Sequence, residues 1–111
     1  MEPNEEQIKR FWEHFGFYQE KVKEVYDIGY STMWKNDKGY WHSALPPIDL
    51  NNLFKYAVQK LYWYILEDTF AEGHTAIVSL SDKKGQVTDK DPALALFWAI
   101  NKIIEEDKGG K

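Results

Sequence analysis

The sequence predicts an α+β domain with the element order αββαββα, a small and largely antiparallel four-stranded sheet packed with three helices. The sheet gains a fifth strand if residues 86–88 form one. Three observations lead there. Asp49, after Leu45-Pro46-Pro47-Ile48, and Asp91, before Pro92, stand at helix starts. There an aspartate accepts from the unpaired N–H groups of the first turn, and proline fits the first helical position. Aromatic and β-branched runs at 30–34, 40–43, 62–69 and 75–80 are punctuated by glycine-containing turns, the pattern of paired strands. Apolar residues near both chain ends recur at helical spacing instead.

The first helix opens after Asn4, with Glu5 and Glu6 in its electropositive first turn and Ile8, Phe11, Trp12 and Phe15 along one face. Gly16 ends it. Segment 17–28 mixes helical and extended spacing and is assigned to neither. Runs 30–34 and 40–43 form the first hairpin around Lys35-Asn36-Asp37-Lys38-Gly39. The second helix starts at Asp49, with Ile48 and Leu53 as a hydrophobic staple and Leu50, Leu53, Phe54, Ala57, Val58 and Leu61 on its apolar face. Strands 62–69 and 75–80 make a second hairpin around Ala71-Glu72-Gly73, and 81–85 reads as a further turn. The last helix runs from Pro92 to about Glu106, apolar almost all round over 93–100. Phe54, Ala57, Leu61, Leu96, Phe97 and Ile100 are expected in one core.

At 111 residues the chain is read as a single domain spanning 1–111, and 43% hydrophobic with 29% charged residues excludes a disordered composition. The net charge of −4 and the single arginine, Arg10, argue against nucleic acid as a partner. A patch of Lys83, Lys84 and Lys90 would support contact only at low salt. There is no cysteine, hence no disulfide or thiolate chemistry. The longest apolar run is too short to span a bilayer, and the first residues are acidic where a secretory signal would be basic. These features place the protein in the cytoplasm, without membrane association.

Chemistry-bearing motifs are sparse. His14, His42 and His74 stand apart, without the helical spacing of metal ligands, and no phosphate-binding glycine loop or nucleophile elbow is present. The reading therefore assigns no catalytic residue, no metal and no cofactor. Glu67 and Asp68 form the one carboxylate pair that a small enzyme could use as acid and base. The first hairpin crowds Tyr30, Trp34, Tyr40 and Trp41. From strand parity, Trp34, Tyr40 and His42 form the candidate ligand or partner surface, whereas Trp41 is expected to pack inward.

The stretches Leu45-Pro46-Pro47-Ile48-Asp49-Leu50-Asn51-Asn52-Leu53-Phe54-Lys55-Tyr56-Ala57-Val58 and Asp91-Pro92-Ala93-Leu94-Ala95-Leu96 resemble those of small phage and prophage proteins of the phage ABA sandwich domain group. In that group helices cover both faces of a small sheet. The resemblance spans roughly residues 10–106; segments 17–28 and 82–90 find no counterpart, and their roles stay open. It implies a fold, a phage or prophage origin and an accessory role, and it carries no catalytic residue. The functional expectation is a non-enzymatic protein-interaction module whose partner is another protein or a second copy. The alternative is a protein that binds a small, nucleotide-like ligand.

Overall fold

The computed structural model describes residues 1–23, 30–69 and 71–110, with 21–23, 30–32 and 107–110 described by their backbone alone. The elements run α1 (Glu5–His14), β1 (Tyr18–Lys23), β2 (Tyr30–Lys35), β3 (Trp41–His42), α2 (Leu50–Tyr56), a 3-10 turn (Val58–Lys60), β4 (Trp63–Thr69), β5 (Gly73–Leu80), β6 (Lys83–Asp89) and α3 (Pro92–Gly110). The α+β class and three α-helices agree with expectation. The topology differs: two three-stranded antiparallel sheets, β1-β2-β3 and β4-β5-β6, stand where one sheet of four or five strands was expected. The order is αβββαβββα.

Both extra strands hide their period for a physical reason. In β1, which lies within segment 17–28, Tyr18, Gln19 and Glu20 are all exposed, so no buried face marks the sequence. Residues 24–28 of that segment lie outside the described residues. In β6, which corrects the turn at 81–85 and the loop at 82–90, the buried position is Gly85, which has no side chain to signal it. Only Ser81 and Asp82 turn between β5 and β6.

The chain divides into two compact units, Glu5–Pro46 and Pro47–Lys111 with Met1–Asn4. In the first, α1 ends in a Schellman motif: the Phe17 N–H donates to the Trp12 carbonyl (3.0 Å) and the Gly16 N–H to that of Glu13 (3.2 Å). Gly16 has φ +99°, the left-handed conformation such a stop requires. The reversal groups the buried rings of Phe11, Trp12, Phe15 and Phe17. Phe11 lies edge-on to Trp12 at 5.0 Å, and Trp12 edge-on to Phe17 at 5.4 Å. The Trp12 indole N–H donates to the Pro46 carbonyl (2.9 Å), so the ring is buried without an orphaned donor.

In the second unit both caps form as expected. Asp49 Oδ1 accepts from the Asn52 N–H (2.8 Å), and Asp91 Oδ1 from the Ala93 N–H (2.8 Å). The second helix is shorter than its apolar pattern. It closes at Tyr56, tightens into the 3-10 turn, and gives way to extended chain before Trp63. Conversely α3 passes its expected end near Glu106 and reaches Gly110. Its Ala93, Leu94, Ala95, Leu96, Phe97, Ala99, Ile100, Ile103 and Ile104 are all buried.

This helix packs on β5 and β6. Ala76 and Val78 of β5 are fully buried, and Gly85 is in register with Val78 on the same face. A Cβ at Gly85 would collide with the Ala99 carbonyl oxygen and press on Ile103, so the helix backbone rests directly on the strand. Gly85→Ala should therefore lower unfolding stability by more than about 1 kcal/mol in denaturant melts, because the obstruction is backbone. Phe97, fully enclosed, should cost roughly 3–5 kcal/mol on truncation to Ala. A loss below about 1 kcal/mol in both variants would contradict this helix placement.

Candidate functional site

In the first unit, Trp34 pairs with His42 across β2 and β3, and Lys35 with Trp41; on the other side, Gln19 pairs with Trp34 and Tyr18 with Lys35. Side chains alternate, so Trp34 and His42 share one face of the sheet and Tyr18, Lys35 and Trp41 the other. The expected orientation of the tryptophans is reversed. Trp34 is 9% exposed and Trp41 46%. The correction follows from His42, whose ring lies 5.2 Å from that of buried Phe17 and so marks the inner face. On the outer face the Lys35 ammonium sits 4.8 Å from the Trp41 ring centroid. Tyr40, which precedes β3, is 67% exposed. Of Tyr30 only the backbone pairing is described.

Buried Asn36 holds the tip of this hairpin. Its Oδ1 accepts from the Lys38 N–H (3.0 Å) and the Tyr40 N–H (2.9 Å), and its Nδ2 lies 3.4 Å from His42 Nε2. One amide thereby organises a five-residue reversal and fixes the backbone beneath Tyr40. Beside it, α1 and β2 border an open groove of about 380 Å³ lined by Glu5, Ile8, Lys9, Trp34, Ser43, Ala44 and Leu45. Trp34 thus meets the groove, whereas Tyr40 and His42 do not line it.

The second unit carries a surface that strand reading alone did not single out. Tyr62, Trp63, Tyr64 and Ile65 are consecutive and exposed by 73, 40, 42 and 44%. The register sets Trp63 with Ser79 and Lys84, and Ile65 with Ile77 and Gln86, on the face opposite Val78 and Gly85. The Lys84 ammonium is 5.7 Å from the Trp63 ring centroid. Tyr64 is on the other face, its ring edge-on to Phe54 at 5.4 Å. On the Tyr64 face α3 lies over β5 and β6 rather than β4, Trp63 and Ile65 are on the face turned away from α3, and β4, among the described residues, pairs with β5 alone. The run Tyr62-Trp63-Tyr64-Ile65-Leu66 was the available signal; a strand of that composition reads as core until its neighbours are placed.

The remaining candidates separate. Glu67 and Asp68 are neighbours on one strand, so their carboxylates leave opposite faces, and Asp68 stands 4.0 Å from His74 Nδ1 at an exposed position. They do not converge on one substrate atom. Lys83 and Lys84 likewise alternate across β6, which splits the expected basic patch. Asp89 is tied structurally: the Asp91 N–H, at 3.0 Å, holds its carboxyl below the usual aspartate range, and the Met1 ammonium, also at 3.0 Å, acts in the same direction against the opposing effect of burial. Among the described residues no three His, Asp or Glu side chains are grouped to hold a metal ion, and no helix is long and apolar enough to cross a membrane.

Neither protein-family models, nor curated proteins, nor solved structures give a match for this chain. Its surfaces must therefore be weighed on their own geometry. The two hairpin tryptophans give a direct check. Trp34→Ala should destabilise the fold by at least about 2 kcal/mol and Trp41→Ala by less than about 1 kcal/mol in thermal or denaturant unfolding. Equal losses would mean that Trp41 is packed and the outer face is closed.

Proposed function

We propose that this chain is a non-enzymatic protein-interaction module acting through the exposed aromatic strand β4. The observation that carries the reading is the run Tyr62, Trp63, Tyr64 and Ile65 along one edge strand, each at least 40% exposed, with Trp63 and Ile65 side by side on one face and Tyr64 on the other. Scattered apolar residues are ordinary on a protein surface, but a contiguous patch with polar and charged residues around it marks a place of contact. Lys84, Gln86, Glu67 and Asp68 supply that rim. Aromatic side chains also present large, stiff contact area at little entropic cost, which suits them to the centre of an interface. The divergence of Glu67 and Asp68 supports a role without acid–base chemistry. An accessory role in a phage or prophage, drawn from the resemblance of Leu45 through Val58 and Asp91 through Leu96, accords with a small binding protein.

A second reading, a small-ligand protein, is favoured by the groove beside Trp34, where an indole, the Ser43 hydroxyl, Glu5 and Lys9 border an apolar floor of Ile8, Ala44 and Leu45. Native and denaturing mass spectrometry of the protein recovered from its host separates the two. The interaction reading expects a protein partner or second copy in the native spectrum that is absent under denaturing conditions, and its loss in a Trp63→Thr, Ile65→Thr variant with unchanged circular dichroism. A small adduct retained by that variant, with no protein partner in either sample, would replace it with the ligand reading.

A further inference from the structure

We infer that β4 is the pairing edge for a second copy of this chain, joined antiparallel about a two-fold axis through Tyr64, so that two three-stranded sheets become one of six strands. This rests on the interaction reading above and names its partner.

The two edges of the second sheet are not equivalent. The β6 edge carries Lys83, Lys84 and Lys90 around Gly85, and lysines on an edge are an established way of discouraging strand addition. The β4 edge has no such protection: Trp63–Thr69 contains no proline, glycine or lysine. Helix α3 covers β5 and β6 and leaves the outer strand uncovered. An aromatic, seven-residue edge whose only charges, Glu67 and Asp68, lie toward one end presents backbone N–H and C=O groups that another strand can satisfy.

Charge along the strand selects both the partner and its direction. Lys60 precedes the apolar run, and Glu67 and Asp68 follow it. Parallel pairing in register would set Glu67 against Glu67 and Asp68 against Asp68, which is repulsive. Antiparallel pairing centred on Leu66 would put Glu67 opposite Ile65 and Asp68 opposite Tyr64. Centred on Tyr64, it places Trp63 opposite Ile65 of the second copy and Tyr62 opposite Leu66, and brings Asp68 of each strand toward the 3-10 turn of the other copy, which ends at Lys60 before the strand begins. Residues opposed in this register have the same parity, so Trp63, Ile65 and Ile77 of both copies form one continuous apolar face. The strand is thus complementary to itself in one register.

The area agrees with a reversible dimer. Taking roughly 150–250 Å² for a fully exposed aromatic side chain, the exposed fractions of Tyr62, Trp63, Tyr64 and Ile65 amount to about 400 Å² per copy. Pairing that covered all of it would remove about 800 Å² in total, below the range of stable specific interfaces and in that of weak, transient contacts.

Sedimentation equilibrium on the full chain tests this. The wild-type protein should dimerise reversibly below ~100 µM, and Ile65→Lys should weaken dimerisation at least about tenfold with circular dichroism and thermal midpoint retained. Lys90→Gln, at the β6 edge and outside the rim of the aromatic patch, should dimerise as wild type. Lys60→Glu should weaken the dimer, and adding Asp68→Lys should restore it, a rescue that only the antiparallel register explains. A wild-type chain monomeric throughout that range, a dimer untouched by Ile65→Lys, or absence of rescue in the charge swap would each overturn the proposal. If the wild type is monomeric while Trp63→Thr, Ile65→Thr still loses a protein partner in mass spectrometry, the interaction reading stands and the second copy is excluded. If neither association is seen, both fall together.

Discussion

A hydrogen atom where every other amino acid carries a carbon sets the layout of the second unit. Because Gly85 has no Cβ, the Ala99 carbonyl oxygen can occupy the space above β6, and α3 settles with its backbone against the strand. Any larger residue would lift or shift the helix. With α3 drawn over β5 and β6, its buried face is filled by Ala76, Val78 and the near-continuous apolar surface from Ala93 to Ile104. Nothing in that arrangement extends over β4. The exposure of Tyr64, on the face that α3 covers farther along the sheet, therefore follows from a close approach two strands away, whereas Trp63 and Ile65 point to the opposite face.

The first unit is organised on a different principle, in which rings occupy the place of aliphatic layers. A helix of ten residues is short for independent stability. Its closing Schellman turn redirects the chain so that Trp12 and Phe17 meet, and Phe17 then meets His42 on the inner face of the sheet. The second of these contacts joins residues distant in sequence through a wide, rigid surface. Polar groups are matched where they are enclosed: the Trp12 N–H finds Pro46, and Asn36 satisfies two backbone donors of the hairpin tip. The ordered tip in turn carries Tyr40 outward.

Legibility in the sequence tracks how local the determining physics is. The caps at Asp49 and Asp91, the stop at Gly16 and the multiply buried α3 depend on a few neighbouring residues, and each is readable directly. The class follows from them. Strands β1 and β6 depend on partners: the one is exposed on both faces where described, the other buries a glycine, and neither shows an alternating pattern. Missing β1, and reading β6 only as an optional strand at 86–88, turns six strands into four or five and two sheets into one. Among the candidate residues, Tyr40 is exposed as expected and Trp34 borders the groove, but parity counted along isolated strands cannot say which face is inner. Only the ring contact between His42 and Phe17 decides that, and it reverses Trp34 and Trp41. The aromatic run of β4 was visible as a strand, while its exposure depends on its place at the sheet edge and on which face α3 covers.

The seat of α3 on Gly85 also implies a gradient of local opening. Separating β5 from β6 requires α3 to leave both strands, so those elements share one cooperative unit with the helix. Strand β4 is held by its ladder to β5 and by the Phe54–Tyr64 ring contact, and it can part from the sheet while the helix stays seated. Its amides should exchange with solvent through a smaller opening than those of the central strand. The exposed aromatic surface is then also the most readily released piece of the unit, and a strand paired with it would raise its protection without changing the rest.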